Sequence, residues 1–140
     1  MLFRSWKHPY GSRIEQVLRE AIHHRLHPAM MLVAKERINP SMVLALQWRF
    51  VDLQHARIGY PAYTSISDRI NEALRWHKSR LRLETLTADR VWDERSFVIA
   101  KPDGGRYSLP EANESIAELF AGFDLPSITT LDALRHPALA

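Results

Sequence analysis

His23, His24 and His27 stand within five positions of one another, the densest group of potential metal ligands in the chain. On a helix, His23 and His27 would lie one turn apart and could share an ion, with a third ligand drawn from His55, His77 or a distant carboxylate. No glutamate sits beside them as in a zinc-protease helix, and imidazolium groups near a helix C-terminus are favoured by its dipole, so they read as structural histidines. His77, on the inner edge of its own helix, reads as a packed histidine rather than a base. Asp89, Asp93 and Glu94 could hold a magnesium ion for phosphodiester cleavage, yet such sites usually add a strand-borne lysine or a further acid, and an exposed acidic turn is the simpler expectation. The chain has no Cys, which removes disulfides, thiol nucleophiles and iron–sulfur ligation. Its five glycines compose neither a dinucleotide fingerprint nor a P-loop, and no Gly-x-Ser-x-Gly elbow is present. Binding is therefore expected over catalysis, with no cofactor and no metal.

A binding surface would have to draw on charge. Of the 19 Lys and Arg residues 15 are Arg, whose planar fork suits phosphates, carboxylates and base edges. Residues 1–90 carry 15 basic against 8 acidic side chains, whereas residues 91–140 carry 4 against 8, so a basic front is joined to an acidic tail. A solvated, arginine-rich surface is the plainer account of the same counts. A length of 140 residues suits a single domain over 1–140. Met1 to Lys7 lacks the apolar stretch of a secretory signal, and purely apolar runs such as Met42 to Leu46 are too short to span a bilayer. A soluble cytoplasmic protein without a membrane segment is expected.

The elements that would position these groups follow from hydrophobic periodicity. Ser12-Arg13-Ile14-Glu15 reads as a capping box opening a helix with Ile14, Val17, Leu18, Ala21, Ile22 and Leu26 on one face, stopped by Pro28. Met30 to Ile38 fits a short helix or a strand. Asn39-Pro40 reads as a cap and first helical position for a helix running toward Gly59, although Leu44, Leu46, Trp48 and Phe50 also alternate as a strand would. A third helix begins after Ser65, with Ile66, Ile70, Ala73, Leu74, His77 and Leu81 inward and Arg69, Asn71, Glu72, Arg75 and Lys78 outward. Beyond it Leu81, Leu83 and Val91 suggest short strands, and Pro102-Asp103-Gly104-Gly105 is a turn joining Ser96–Lys101 to Arg106–Leu109 as a hairpin. Pro110 opens a helix ended by Gly122, and Ser127 to Arg135 forms a last short one. Trp48 reads as core, and Trp6, Trp76 and Trp92 as half-buried anchors. The fold class expected is α+β: a helical N-terminal part, a small antiparallel hairpin or sheet, and C-terminal helices.

The order of helix, helix, helix, hairpin, helix is that of a winged helix-turn-helix, in which the third helix enters the DNA major groove and the hairpin reaches beside it. Helix 66–80 would offer Arg69, Asn71, Arg75 and Lys78, and hairpin 96–109 would offer Lys101 and Arg106, with Asn and Arg suited to base edges and Lys to phosphate. Asp103-Gly104-Gly105-Arg106-Tyr107-Ser108-Leu109-Pro110-Glu111-Ala112-Asn113 resembles the stretch of MarR- and PadR-like regulators in which a basic wing tip leads through a short strand into a helix start. Pro110 stands where those proteins have Thr, and Asn113 where they have Gly. The resemblance implies a DNA-binding regulator of winged-helix type, dimeric through its terminal helices. The competing expectation is a protein–protein interaction module, an accessory or inhibitor protein, whose basic front and acidic tail serve a partner protein or self-association through anchors such as Trp6 or Trp92.

Overall fold

Residues 27–33 are buried without interruption, and a helix apolar on every side must sit at the centre of its fold. In the computed structural model, which describes residues 9–59 and 62–135, this segment is α2 (His27–Glu36). The open choice at Met30 to Ile38 thus resolves as helix. Pro28, expected to stop the preceding helix, instead lies in the first turn of α2, where its missing amide leaves no bond unmade. Packed around α2 are α1 (Pro9–Glu20), α3 (Pro40–Ala45), α4 (Asp68–Thr87) and a 3-10 turn at Asp132–Arg135.

α1 begins at Pro9, so Ser12 to Glu15 lies inside a helix and does not start one, correcting the expected capping box. Ile14, Val17, Leu18 and Ala21 are buried as the periodicity requires, but the helix ends at Glu20 and the following turn carries Ile22 to the surface. Leu26 returns to the core.

The long helix expected from Pro40 toward Gly59 is not formed. Asn39 does cap α3, its side chain accepting from the Ser41 amide at 2.8 Å, but the helix stops at Ala45. From Leu46 onward the backbone pairs with a distant segment: the Leu46 carbonyl accepts from the Val98 amide at 2.9 Å, and the Trp48 and Arg49 amides donate to Ser96 and Glu94 carbonyls at 3.0 and 2.7 Å. Leu46 and Trp48 are buried while Arg49 is exposed, the period of two that competed with the helix in the sequence. A 3-10 turn at Trp48–Phe50 then enters a three-stranded antiparallel meander, β1 (Val51–Asp52), β2 (Arg57–Gly59) and β3 (Tyr63–Ser65), with Asp52 opposite Arg57 and Arg57 opposite Ser65. Hydrogen bonds from Arg57 and His55 fasten the first turn and hold the Asp52 carboxyl down to about 2.

Ser67 caps α4 by accepting from the Ile70 amide at 3.2 Å, and Ile70, Leu74, His77 and Leu81 face inward as expected. The helix continues to Thr87, so Leu81 and Leu83 are helical and not strand residues. α5 (Leu109–Gly122) opens with a full capping box: the Glu111 amide donates to Ser108 Oγ at 3.2 Å and the Ser108 amide to Glu111 Oε1 at 2.9 Å. Between α4 and α5 the expected hairpin reduces to a turn, with one bridge between Ala100 and Arg106 and a bond from the Lys101 amide to the Gly105 carbonyl. The cause is competition for backbone groups, since Ser96 and Val98 bond to residues 46–48 and Ser108 is drawn into the cap of α5. Of Ser127 to Arg135, only Asp132–Arg135 winds into a 3-10 turn.

Five α-helices with a small three-stranded antiparallel sheet, among the described residues, make this an α+β fold. The sheet precedes α4 and no wing hairpin follows it, so the winged arrangement is not reproduced. No helix of the described residues is long and apolar enough to cross a membrane.

Trp48 is fully buried, its ring 6.1 Å from that of His77 and 6.4 Å from that of Trp92, and its indole Nε1 has no hydrogen-bond partner among the described residues. Trp48→Ala should cost about 3–5 kcal/mol, as large-to-small changes in cores do. Trp48→Phe keeps much of the packing and removes an orphaned donor worth roughly 1–3 kcal/mol, so its midpoint in urea should fall less than half as far. Equal losses for the two variants would show that the indole N–H carries no penalty.

Candidate functional site

α4 spans 20 residues, roughly 30 Å, and positions most of the side chains from which a binding surface was expected. Near its start the Asn71 side-chain amide and the Arg75 guanidinium both donate to the Leu53 carbonyl, at 2.9 and 2.8 Å, clamping the turn after β1. Asn71, expected on the outer face, is buried, and its Oδ1 has no partner among the described residues. Lys78 pairs with Glu94 at 3.2 Å and lies 5.4 Å from the centroid of Trp48. Arg69 is exposed. Lys101 pairs with Glu111 at 3.1 Å beside the α5 cap, and Arg106 is exposed on the same turn. Arg90, just past α4, donates to the Pro102 and Asp103 carbonyls at 3.1 and 3.0 Å, so this turn sits by the far end of the helix. The six expected contact residues are thus distributed along α4 and its flanks, and most are occupied by contacts within the fold.

The missed feature is apolar. Trp76 is 73% exposed, Leu83 63% and Leu86 73%, at positions i, i+7 and i+10 of α4, on the side away from Ile70, Leu74 and Leu81. Trp76 is therefore no half-buried anchor, whereas Trp92 is half-buried as expected. Helical spacing places Arg69 and Arg80 along one margin of this stripe and Arg75 and Arg82 along the other. Arg82 also lies 5.6 Å from the Trp92 ring centroid. The signal was legible in the sequence as a second set of apolar residues seven and three apart, but the change of period placed after Leu81 ended the helix too early for it to be seen.

Beside Trp76 a cavity of about 280 Å³ opens between α4 and the turn joining α1 to α2. Its walls include Ile22 and His24 from the turn, His27 at the start of α2, and Ala73, Trp76, His77 and Arg80 from α4. His23 and His27 do not lie on one helix: His23 falls in the turn, and His27 is the first residue of α2. Among the described residues no group of three His, Asp or Glu side chains could hold a metal ion.

Geometry assigns the protons on these rings. His27 Nε2 donates to the Leu18 carbonyl at 2.9 Å and His77 Nε2 to the Val98 carbonyl at 2.7 Å, so each carries its proton there. The Leu26 amide donates to His24 Nδ1 at 3.0 Å, which places the His24 proton on Nε2. Burial lowers all three pKa values, that of His77 to about 4, where nearby Arg25 and Arg80 push in the same direction and Glu84 opposes them. The rings are neutral near pH 7. Arg80 donates to the His23 carbonyl at 2.7 Å and reaches Glu84 at 3.4 Å, while Glu84 is held more closely by Arg25 at 2.5 Å. Burial alone would raise Glu84, but the bonds and charges of the two arginines together lower it.

No protein-family model, no curated protein and no solved structure matches this chain.

A histidine buried in its neutral form protonates more easily once unfolded, so its contribution to stability is complete above about pH 6.5 and is lost as pH falls to about 4. For His77 alone that amounts to on the order of 3 kcal/mol, and His24 and His27 act in the same direction. Urea unfolding between pH 7 and 4 should show this loss, and His77→Phe should flatten the slope even though it also lowers stability at pH 7 by leaving the Val98 carbonyl unbonded. An unchanged slope in the variant would place the acid sensitivity elsewhere.

Proposed function

We propose that the protein is a protein-interaction module whose docking surface is the outer face of α4, and that its partner is an amphipathic helix with acidic flanks. The observation that carries this reading is the exposed stripe of Trp76, Leu83 and Leu86. A helix that already buries Ile70, Leu74 and Leu81 against its own core gains nothing from further large apolar side chains held in water, and such side chains along one helix face mark a contact site. Arg69 on one margin and Arg82 on the other select the partner, since flanking positions of paired helices set partner choice through charge, while Arg75 and Arg80 are held within the fold. Two copies of α4 set face to face would bring arginine against arginine, which disfavours self-association through this surface.

A duplex-DNA regulator remains the principal alternative. It would draw on the same arginines, but Asn71 is engaged with Leu53, and Lys78 and Lys101 are paired with acids. An exposed tryptophan with two leucines is also poorly suited to a phosphate backbone, whose recognition rests on cations and hydrogen-bond donors.

The test uses a labelled helical peptide of roughly three heptads, leucine at its core positions and glutamate at the flanking ones, against the same peptide with lysine flanks. Fluorescence anisotropy at low salt should give at least tenfold tighter binding for the acidic peptide. Arg69→Glu with Arg82→Glu should reverse the preference, and Trp76→Ala should weaken both peptides. Equal binding of the two peptides, or sedimentation showing self-association lost in Trp76→Ala, would overturn the proposal. Binding of mixed-sequence duplex with a steep salt dependence and no peptide binding would restore the DNA account.

A further inference from the structure

The cavity beside Trp76 has a chemistry of its own, which does not depend on what covers the stripe. At about 280 Å³ it is larger than an engineered cavity of roughly 150 Å³ that holds benzene, and just below the roughly 300 Å³ at which drug-sized pockets begin. One or two fused rings would fill it. Ile22, Pro28, Ala73 and the Trp76 ring supply apolar and aromatic wall.

The polar part of the wall is selective. His27 and His77 are 4% and 6% exposed, and each uses its only N–H on a carbonyl, of Leu18 and of Val98. In the neutral ring the remaining nitrogen, Nδ1, is a bare acceptor, and neither finds a donor among the described residues. A ligand that brings a donor can take up either acceptor in place of water. A carboxylate or phosphate would set its oxygens against two lone pairs, with His24 Nε2–H as a neutral donor and Arg80 already bonded to the His23 carbonyl and to Glu84. Ammonium groups are disfavoured too, because Arg80 lines the cavity and Arg25 and Arg69 lie near its histidines, against Glu84, which two of these arginines hold, and Glu118 near His24.

We infer that this cavity is a binding site for an uncharged aromatic ring of one or two cycles bearing a single N–H or O–H donor, the chemistry of indole or phenol. The donor bonds to an Nδ1 of His27 or His77, and the ring stacks against Trp76. A tryptophan or tyrosine side chain of a bound partner and a free small molecule both present this chemistry.

Indole is the probe, and indene, which replaces the N–H with CH₂ in nearly the same shape, is its control. Titrating each into the isotope-labelled chain should give saturable shifts at Ile22, Ala73 and His77 with indole, and an affinity at least tenfold weaker with indene. Ala73→Leu, which fills the cavity from a helix position that tolerates leucine, should abolish the indole response while leaving the melting temperature within a few degrees. No saturable shift, equal affinity for indene, or an unchanged response in Ala73→Leu would overturn the inference. The source is separated by adding one tryptophan to the acidic-flanked peptide. Tighter binding by tenfold to the wild type but not to Ala73→Leu assigns the ring to a partner side chain, and no gain alongside intact indole binding assigns it to a free ligand. Failure of every peptide with retained indole binding would remove the docking proposal alone.

Discussion

Everything in this fold is arranged to keep water from one helix. α2 buries residues 27–33 on all sides, so α1, α3, α4 and the C-terminal 3-10 turn must each present an apolar face to it at once. The constraint extends to polar atoms. His27, at the start of α2, bonds to the Leu18 carbonyl in the last turns of α1, and Arg37, in the left-handed conformation at its end, reaches the Arg135 carbonyl at 3.3 Å. The central helix is thereby tied to the chain before it and to the turn that closes it.

α4 is the element on which packing and the proposed docking face meet. Its inner side meets the core through Ile70, Leu74 and Leu81, and its start clamps the meander through Asn71 and Arg75. With those contacts made, the helix is rigid enough to present Trp76, Leu83 and Leu86 in fixed register, which a loop would not do. The histidine-walled cavity arises from the same geometry, because the turn between α1 and α2 must cross beside α4 for α2 to enter the core.

Several features were legible in the chain because they depend on neighbours a few residues away. Asn39-Pro40 caps a helix, Pro110 and Glu111 lie in the first turn of another, and the inner face of α4 follows from spacing alone, since each rests on backbone amides or a helical period within one turn. Where two local readings were of similar strength, distant pairing decided. Leu46 and Trp48 satisfied a helical and an alternating pattern alike, and only the amide of Val98 and the carbonyl of Ser96, about fifty residues on, select the extended form. The same bonds explain why the expected hairpin dwindles to a turn. Proline misled in both helices near the N-terminus, for the ring that ends one helix is equally suited to begin the next.

By itself the sequence determined the α+β class, the cap at Asn39, the inward face of α4, and the exclusion of cysteine chemistry, all properties of residue type or of short-range geometry. Tertiary structure decided which side chains face water. Asn71, a surface contact by spacing, turns to the Leu53 carbonyl, while Trp76, an anchor by type, stands in solvent. It also placed three histidines, expected as structural residues of one helix, in the wall of a cavity shared by a turn and two helices. The physical reason is that exposure and hydrogen-bond partnership are set by what the rest of the chain leaves uncovered, and local period carries no record of that.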